Sequence, residues 1–165
     1  MKIFFLCLII TCCTYLGYGF SSYYRRRLRL FKDVLNFASK MIVDINFSRS
    51  NLKEIIQNSL SNYGSDFKTI LNNFLSYLGD NSNLLSEEIL LSGIKNLSVE
   101  DKQTLFLFFK GLGRYDAESQ IKELENYKKK FDDLKLVAEA ENKKYGGLYI
   151  KLGLMLGLLI AILLI

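Results

Sequence analysis

The chain has 165 residues, which is the length of one ordinary domain, and it contains no histidine, proline or tryptophan. Without histidine it lacks the commonest general base and the commonest metal ligand, so catalytic and metal sites built on imidazole are excluded. Its 22 basic and 17 acidic residues give a net charge of +5, and 30 leucines against four valines favour helix over strand.

The first apolar segment begins at Ile3. From Ile3 to Tyr24 the chain has 22 uncharged residues, enough to cross about 30 Å of hydrocarbon as a helix. The run stops against four arginines, whereas a cleaved signal peptide is shorter and ends at small residues. We therefore predict an uncleaved transmembrane helix over residues 3–24, with a processed signal peptide as the alternative. The four arginines are Arg25, Arg26, Arg27 and Arg29.

The second apolar segment, Leu148–Ile165, has 15 apolar residues among 18, and its single charge is Lys151 near one border. Because this segment has no polar face for solvent, it predicts a transmembrane helix, over residues 147–165, rather than a buried core helix. Gly153 and Gly157 have the spacing that lets two helix backbones approach closely. They are candidates for packing in the membrane, against the first span or against a partner.

Basic residues predict the orientation of both spans. Only Lys2 precedes the first span, whereas the arginine cluster follows it, and Lys143 and Lys144 precede the second. Because basic residues concentrate on the cytoplasmic side, we expect residues 25–145 in the cytoplasm and both termini outside. Without the arginine cluster, residues 25–145 have a net charge of −1, which argues against nucleic-acid binding.

The region between the spans shows apolar residues at the three-and-four spacing of amphipathic helices. Breaks are predicted after Phe47, at Tyr63-Gly64, after Gly79 and at Gly111–Asp116, with a short helix over Ser86–Asn96. Three N-termini carry capping signals, and the last helix is predicted to continue through Gly146-Gly147, where a bend is natural, into the second span. The expected fold is all-α, a cytoplasmic bundle of about six helices flanked by two transmembrane helices. The capping signals are Ser50 or Asn51, the latter resembling a capping box with Glu54, then Ser98–Asp101 and Asp116.

Catalytic and metal-binding patterns are missing from the sequence. All three cysteines, Cys7, Cys12 and Cys13, lie in the first apolar segment, so the middle region has no thiolate. Its acidic pairs are adjacent in sequence and therefore point about 100° apart on a helix, which is typical of solvated faces and first turns. No glycine-rich phosphate loop is present. We predict a protein that is not an enzyme and that uses no cofactor, metal or small-molecule substrate.

The segment Leu112–Gln120, which reads LGRYDAESQ, precedes the last long helix. It resembles the stage III sporulation protein AB family, whose members have Leu-Gly, a basic residue, Asp and Gln at this spacing. By this resemblance the matching residues are candidates for a turn or an interaction site; they are Leu112, Gly113, Arg114, Asp116 and Gln120.

The resemblance extends over the whole chain, because family members also have about 170 residues and a span at each end. Other matching positions are Gly17, Tyr24, Arg27, Ile45, Phe47 and Leu52. Two departures are Leu28, where a proline is common in the family, and a missing tryptophan before Ser92–Ile94.

The resemblance implies a place in the channel apparatus that links mother cell and forespore in endospore-forming bacteria. The protein would be a scaffold in the mother-cell membrane around the forespore, with a domain like the cytoplasmic helical domain of the type II secretion inner-membrane F protein. Its partners would be the channel's cytoplasmic secretion ATPase and other membrane proteins of the channel. The alternative is a membrane-surface regulatory or lipid-binding helical module that uses the arginine cluster on anionic lipid.

Overall fold

A computed structural model describes residues 2–47, 51–79, 84–95 and 97–163, with side chains from Cys7 onward. Within these ranges every regular element is helical, which confirms the predicted all-α fold class. The helices are α1 (Lys2–Phe47), α2 (Leu52–Ser59), a 3₁₀ turn (Leu60–Asn62), α3 (Ser65–Gly79), α4 (Glu87–Leu90), α5 (Val99–Gly111), α6 (Ala117–Tyr145) and α7 (Leu148–Leu163).

The two long ends of the chain differ in their continuity. Helix α1 runs without a break for 46 residues, so the first predicted span and the first bundle helix are one helix. Between α6 and α7 the chain makes a two-residue turn at Gly146-Gly147, whereas one continuous helix was predicted. Hydrogen bonds to the carbonyl four residues back persist on both sides of this turn, from Gly146 N to Asn142 O (2.8 Å) and from Lys151 N to Gly147 O (3.3 Å). The glycine pair therefore interrupts the regular helix at two residues, while hydrogen bonds of the helical type continue on both sides.

One helical stretch in the described part of the chain is long and apolar enough to cross a membrane. It is Ala117–Leu163, 47 residues counted through the glycine turn, and its apolar portion is α7. This finding concerns the length and composition of the helix. The first span, residues 3–24, stays a prediction, since its first side chains are outside the described part.

Several local predictions differ from the structure. Asn51 is at the N-cap of α2 with an extended backbone, but its side chain makes no capping hydrogen bond, so the predicted box with Glu54 is wrong. Helix α4 has four residues instead of the eleven predicted over Ser86–Asn96, since the chain turns at residues 91–93 and Gly93 has φ +85°. The break residues 48–50 and 80–83, and Asn96, lie outside the described residues.

A capping box forms at the start of α5. The Ser98 amide donates to the Asp101 carboxylate (2.9 Å), and the Asp101 amide donates to the Ser98 hydroxyl (3.2 Å). These reciprocal bonds satisfy two amides that a helix N-terminus would otherwise leave unpaired. The helix that contributes Phe108 and Phe109 to the core therefore has a fixed starting point.

The chain divides into two compact units. Unit 1 comprises Met1–Leu28 and Leu136–Ile165, and unit 2 comprises Arg29–Lys135. Unit 1 contains seven basic and two acidic residues, whereas unit 2 contains fifteen of each. The whole net charge of +5 therefore belongs to unit 1.

Unit 2 has an aromatic core. The ring of Phe37 lies 5.5 Å from that of Phe67 and 6.3 Å from that of Phe109, centroid to centroid, and Phe109 lies 5.0 Å from Phe74. These edge-to-face, stacked and tilted pairs add to the gain from burial. The core thereby joins α1, α3, α5 and α6; its fully buried phenylalanines are Phe31, Phe37, Phe67, Phe74, Phe108, Phe109 and Phe131.

A polar contact joins α1 to the residue before α3. The Gly64 amide donates to the Asp33 carboxylate (2.9 Å), and a Cβ at Gly64 would lie 3.0 Å from that carboxylate and 3.1 Å from Arg29 Cδ. Burial raises the pKa of Asp33 above its usual value, although the Gly64 amide and Arg29 act in the opposite direction. Glycine is therefore the residue that lets the two segments meet here.

We predict that Phe109→Ala destabilises unit 2 severely. Phe109 is 1% exposed and touches four other rings, so its truncation should lower the free energy of unfolding by about 3–5 kcal/mol. Leu107→Ala, on the same helix but 44% exposed, is the matched control and should cost about 1 kcal/mol or less. Urea unfolding of the fragment 25–145, followed by far-UV circular dichroism, measures both. Equal losses for the two variants would contradict the aromatic core.

Candidate functional site

The five residues matched to the family motif lie in and beside the turn between α5 and α6. Leu112 is the buried C-cap of α5, and Gly113 has φ +76°, a left-handed conformation that glycine adopts without strain. The Gly113 amide donates to Gln120 Oε1 (2.9 Å), and Gln120 is only 5% exposed. Leu112, Gly113 and Gln120 therefore set the shape of the turn.

Asp116 caps α6. Its carboxylate accepts a hydrogen bond from the Ser119 amide (3.2 Å), as an N-cap side chain does. Hydrogen bonds from Ser119 hold the pKa of Asp116 below its usual value. Arg114 and Tyr115 differ from these residues, because both side chains are exposed. Among the described residues no side-chain partner of Arg114 is found, so it and Tyr115 are the parts of the turn free for contact with another molecule.

An open groove of about 240 Å³ in unit 2 borders this turn. It lies between the end of α1, the start of α2 and the turn itself, and its lining is mainly apolar. A groove of this size beside exposed polar groups can accept apolar side chains of another molecule. Its lining residues are Met41, Ile45, Leu52, Ile55, Gly113, Tyr115, Ala117 and Gln120.

Sequence reasoning did not find this groove. Ile45, Leu52 and Ile55 have the spacing of apolar helix faces, and such faces usually pack against a core. A partly uncovered stripe and a buried one have the same periodicity. The neighbouring exposed aromatic, Tyr115, within a motif of turn residues is the one signal that could have indicated it.

The four arginines of the cluster have different environments. Arg27 is buried, and its Nη1 donates to Glu141 Oε2 at 2.5 Å. Arg25 and Arg26 are exposed, and Arg29, also exposed, belongs to unit 2. Glu141 was not singled out from the sequence, because nothing local relates two residues 114 positions apart. The sequence predicted one cluster of four arginines, but Arg27 is buried and paired, and the other three are exposed.

Gly153 and Gly157 lie against α1 within unit 1. A Cβ at Gly153 would be 2.6 Å from the Cys13 carbonyl oxygen, and one at Gly157 would be 3.0 Å from Ile10 Cα. Gly17 on α1 is equally constrained, since its Cβ would collide with the Tyr149 carbonyl. Small residues on both helices thus allow direct backbone contact, as in membrane helix pairs.

The described residues contain no group of three His, Cys, Asp or Glu side chains able to hold a metal ion. The three cysteines are free thiols; Cys7 and Cys12 are exposed and Cys13 is half-buried. The features that distinguish this chain are thus a turn, a groove, an apolar helix and a charged cluster.

Comparison with known proteins identifies the family. The family model described as stage III sporulation protein AB (spore_III_AB) matches residues 2–165. The chain belongs to this family. Membership in the stage III sporulation protein AB family supports a role in sporulation, and the predicted resemblance to this family is confirmed. No curated protein and no solved structure matches the chain.

We predict that Gly157→Cys forms a disulfide with Cys13 in a chain that also carries Cys7→Ser and Cys12→Ser. A Cβ at residue 157 would lie 3.3 Å from Cys13 Cβ, close to the Cβ separation of disulfides, about 3.5–4.5 Å. After oxidation and proteolysis within unit 2, the two terminal fragments should stay joined without reductant. Met155→Cys, which is on the exposed side of α7, should not crosslink. Crosslinking at 155 but not at 157 would contradict the packing of α7 on α1.

Proposed function

We propose that this protein is a non-enzymatic platform of the channel complex between mother cell and forespore. It is anchored in the mother-cell membrane around the forespore, with residues 25–145 in the cytoplasm and both termini outside. The observation that carries this proposal is the family match over residues 2–165. The apolar stretch that ends in α7 and the arginines after residue 24 support the membrane placement.

The partner of the cytoplasmic region is a secretion-type ATPase, which binds at the turn between α5 and α6. Support comes from the division of roles within the motif. Gly113, Asp116 and Gln120 hold the turn by hydrogen bonds, so that Arg114 and Tyr115 project from a rigid support. Rigid presentation of an arginine and an aromatic residue lowers the entropy cost of binding, and these residue types dominate interface energetics.

The groove extends this surface with apolar area. An apolar side chain of the ATPase would enter between Met41 and Ile55, while a carboxylate beside it would meet the guanidinium of Arg114. Other membrane proteins of the channel would contact unit 1, where α7 has many exposed large apolar side chains.

The double substitution Arg114→Glu with Tyr115→Ala should weaken ATPase binding at least tenfold, because it reverses the charge and removes the exposed ring. Lys95→Glu, which reverses an exposed charge elsewhere in unit 2, is the control and should bind as the wild type does. Biolayer interferometry with the full chain in nanodiscs and the purified ATPase measures both, and spore counts test the variants in cells.

The proposal has two separate points of failure. A wild-type chain that does not bind the ATPase, together with normal sporulation after deletion, would contradict the platform function. Normal binding by the double variant would contradict only the assignment of the surface.

A further inference from the structure

Unit 1 has four exposed cationic side chains near the arginine cluster and the glycine turn. Arg25 and Arg26 are on α1, and Lys143 and Lys144 are in the last turn of α6. Among the described residues none of the four forms an ion pair. Unit 1 has only two acidic residues, and one of them, Glu141, is bound to Arg27. Glu139 is the single remaining carboxylate, so this part of unit 1 has a large unneutralised positive charge.

Arg25 is held in a defined position. Its Nη2 donates to the Ser21 hydroxyl (3.0 Å), and its guanidinium carbon lies 4.9 Å from the centre of the Tyr18 ring. The Ser21 hydroxyl in turn donates to the Gly146 carbonyl in the glycine turn. Both Ser21 and Tyr18 precede Arg25 on α1, so the guanidinium is directed back toward the apolar segment. A guanidinium has five N–H donors, and Ser21 accepts from one of its nitrogens.

We propose that Arg25, Arg26, Lys143 and Lys144 form a binding site for the phosphate groups of anionic phospholipids, with Arg25 as the positioned donor. The proposal rests on the membrane insertion that belongs to the proposed function. Charge complementarity identifies the ligand, because four cations without acidic partners, next to an apolar segment, match a phosphate attached to acyl chains. Arginine suits this ligand, since its planar fork donates two parallel hydrogen bonds to phosphate oxygens.

The structure also separates this site from its neighbours in sequence. Arg27 is excluded because it is buried and bound to Glu141. Arg29 is excluded because it lies beside Asp33 and Gly64 of unit 2. Exposed aromatic rings of Tyr18 and Tyr23 lie on the same part of α1, as expected at the level of lipid headgroups. The contacts of Arg27 with Glu141 and of Ser21 with the Gly146 carbonyl bring together the parts of α1 and α6 that carry the four cations, and the exposed rings border them.

Lipid exchange on the intact chain tests the proposal. Purified wild-type protein is equilibrated with mixed micelles of phosphatidylglycerol and phosphatidylcholine, repurified, and its bound lipid is measured by mass spectrometry. We expect at least fivefold enrichment of phosphatidylglycerol on the wild type. A quadruple variant should show no enrichment; its substitutions are Arg25→Gln, Arg26→Gln, Lys143→Gln and Lys144→Gln. The single substitution Arg25→Lys should reduce the enrichment.

The matched control removes four exposed lysines of unit 2 and should keep the enrichment; the substitutions are Lys53→Gln, Lys95→Gln, Lys122→Gln and Lys129→Gln. Equal loss in both quadruple variants would overturn the proposal, because net charge and not the site would be responsible. Displacement of the lipid by millimolar inorganic phosphate would also overturn it, since the ligand would then be a soluble anion.

Alkaline carbonate extraction of the wild type from membranes tests membrane insertion separately from the lipid site. A chain that resists extraction but shows no preference for phosphatidylglycerol overturns the lipid site alone. A chain released by carbonate contradicts the membrane role and overturns the lipid site with it.

Discussion

The backbones of α1 and α7 touch, and unit 1 depends on this contact. Gly17, Gly153 and Gly157 are the positions at which any side chain would meet backbone atoms of the other helix. In hydrocarbon such contact replaces the hydrophobic effect, because lipid tails are as apolar as leucine. Without these glycines the two helices would have to separate, and the polar contacts beyond them would lose their geometry.

Those polar contacts lie at the ends of the apolar segments nearest the arginine cluster and fix α1 against the end of α6 and the glycine turn. The pairs are Arg27 with Glu141 and Ser21 with the Gly146 carbonyl. Arg27 is buried and Glu141 is half-exposed, so desolvation offsets part of the attraction, but loss of Glu141 would remove a carboxylate partner from a buried guanidinium. Arg27 therefore acts against sliding of one helix past the other. This role differs from that of Arg25 and Arg26, which stay exposed.

The sequence predicted the features that depend on local chemistry. Apolar periodicity identified the helical fold, and Ser98–Asp101 and Asp116 were recognised as capping signals. Asn51 shows the limit of this reasoning, because a capping residue can take the N-cap position and still direct its side chain elsewhere. Helix α4 was predicted too long, since apolar spacing continued past the point at which Gly93 turns the backbone.

Features that depend on distant residues could not be predicted. The pairing of Arg27 with Glu141 joins positions 114 residues apart, and the groove at Met41 and Ile55 is open because no other element of the described ranges covers it. The family motif is intermediate between these cases. Its spacing identified the family, but only the structure separates Gly113 and Gln120, which hold the turn, from Arg114 and Tyr115, which are exposed.

In the proposed function, two adjacent helices anchor residues 25–145 to the membrane from both ends and hold them in the cytoplasm. Cysteine labelling tests this topology, in spheroplasts of a non-sporulating host that expresses the chain in its cell membrane with Cys7→Ser, Cys12→Ser and Cys13→Ser. With a membrane-impermeant maleimide, Lys2→Cys should be labelled in intact spheroplasts, whereas Lys95→Cys should be labelled only after permeabilisation. Labelling of Lys95→Cys in intact spheroplasts would contradict the account.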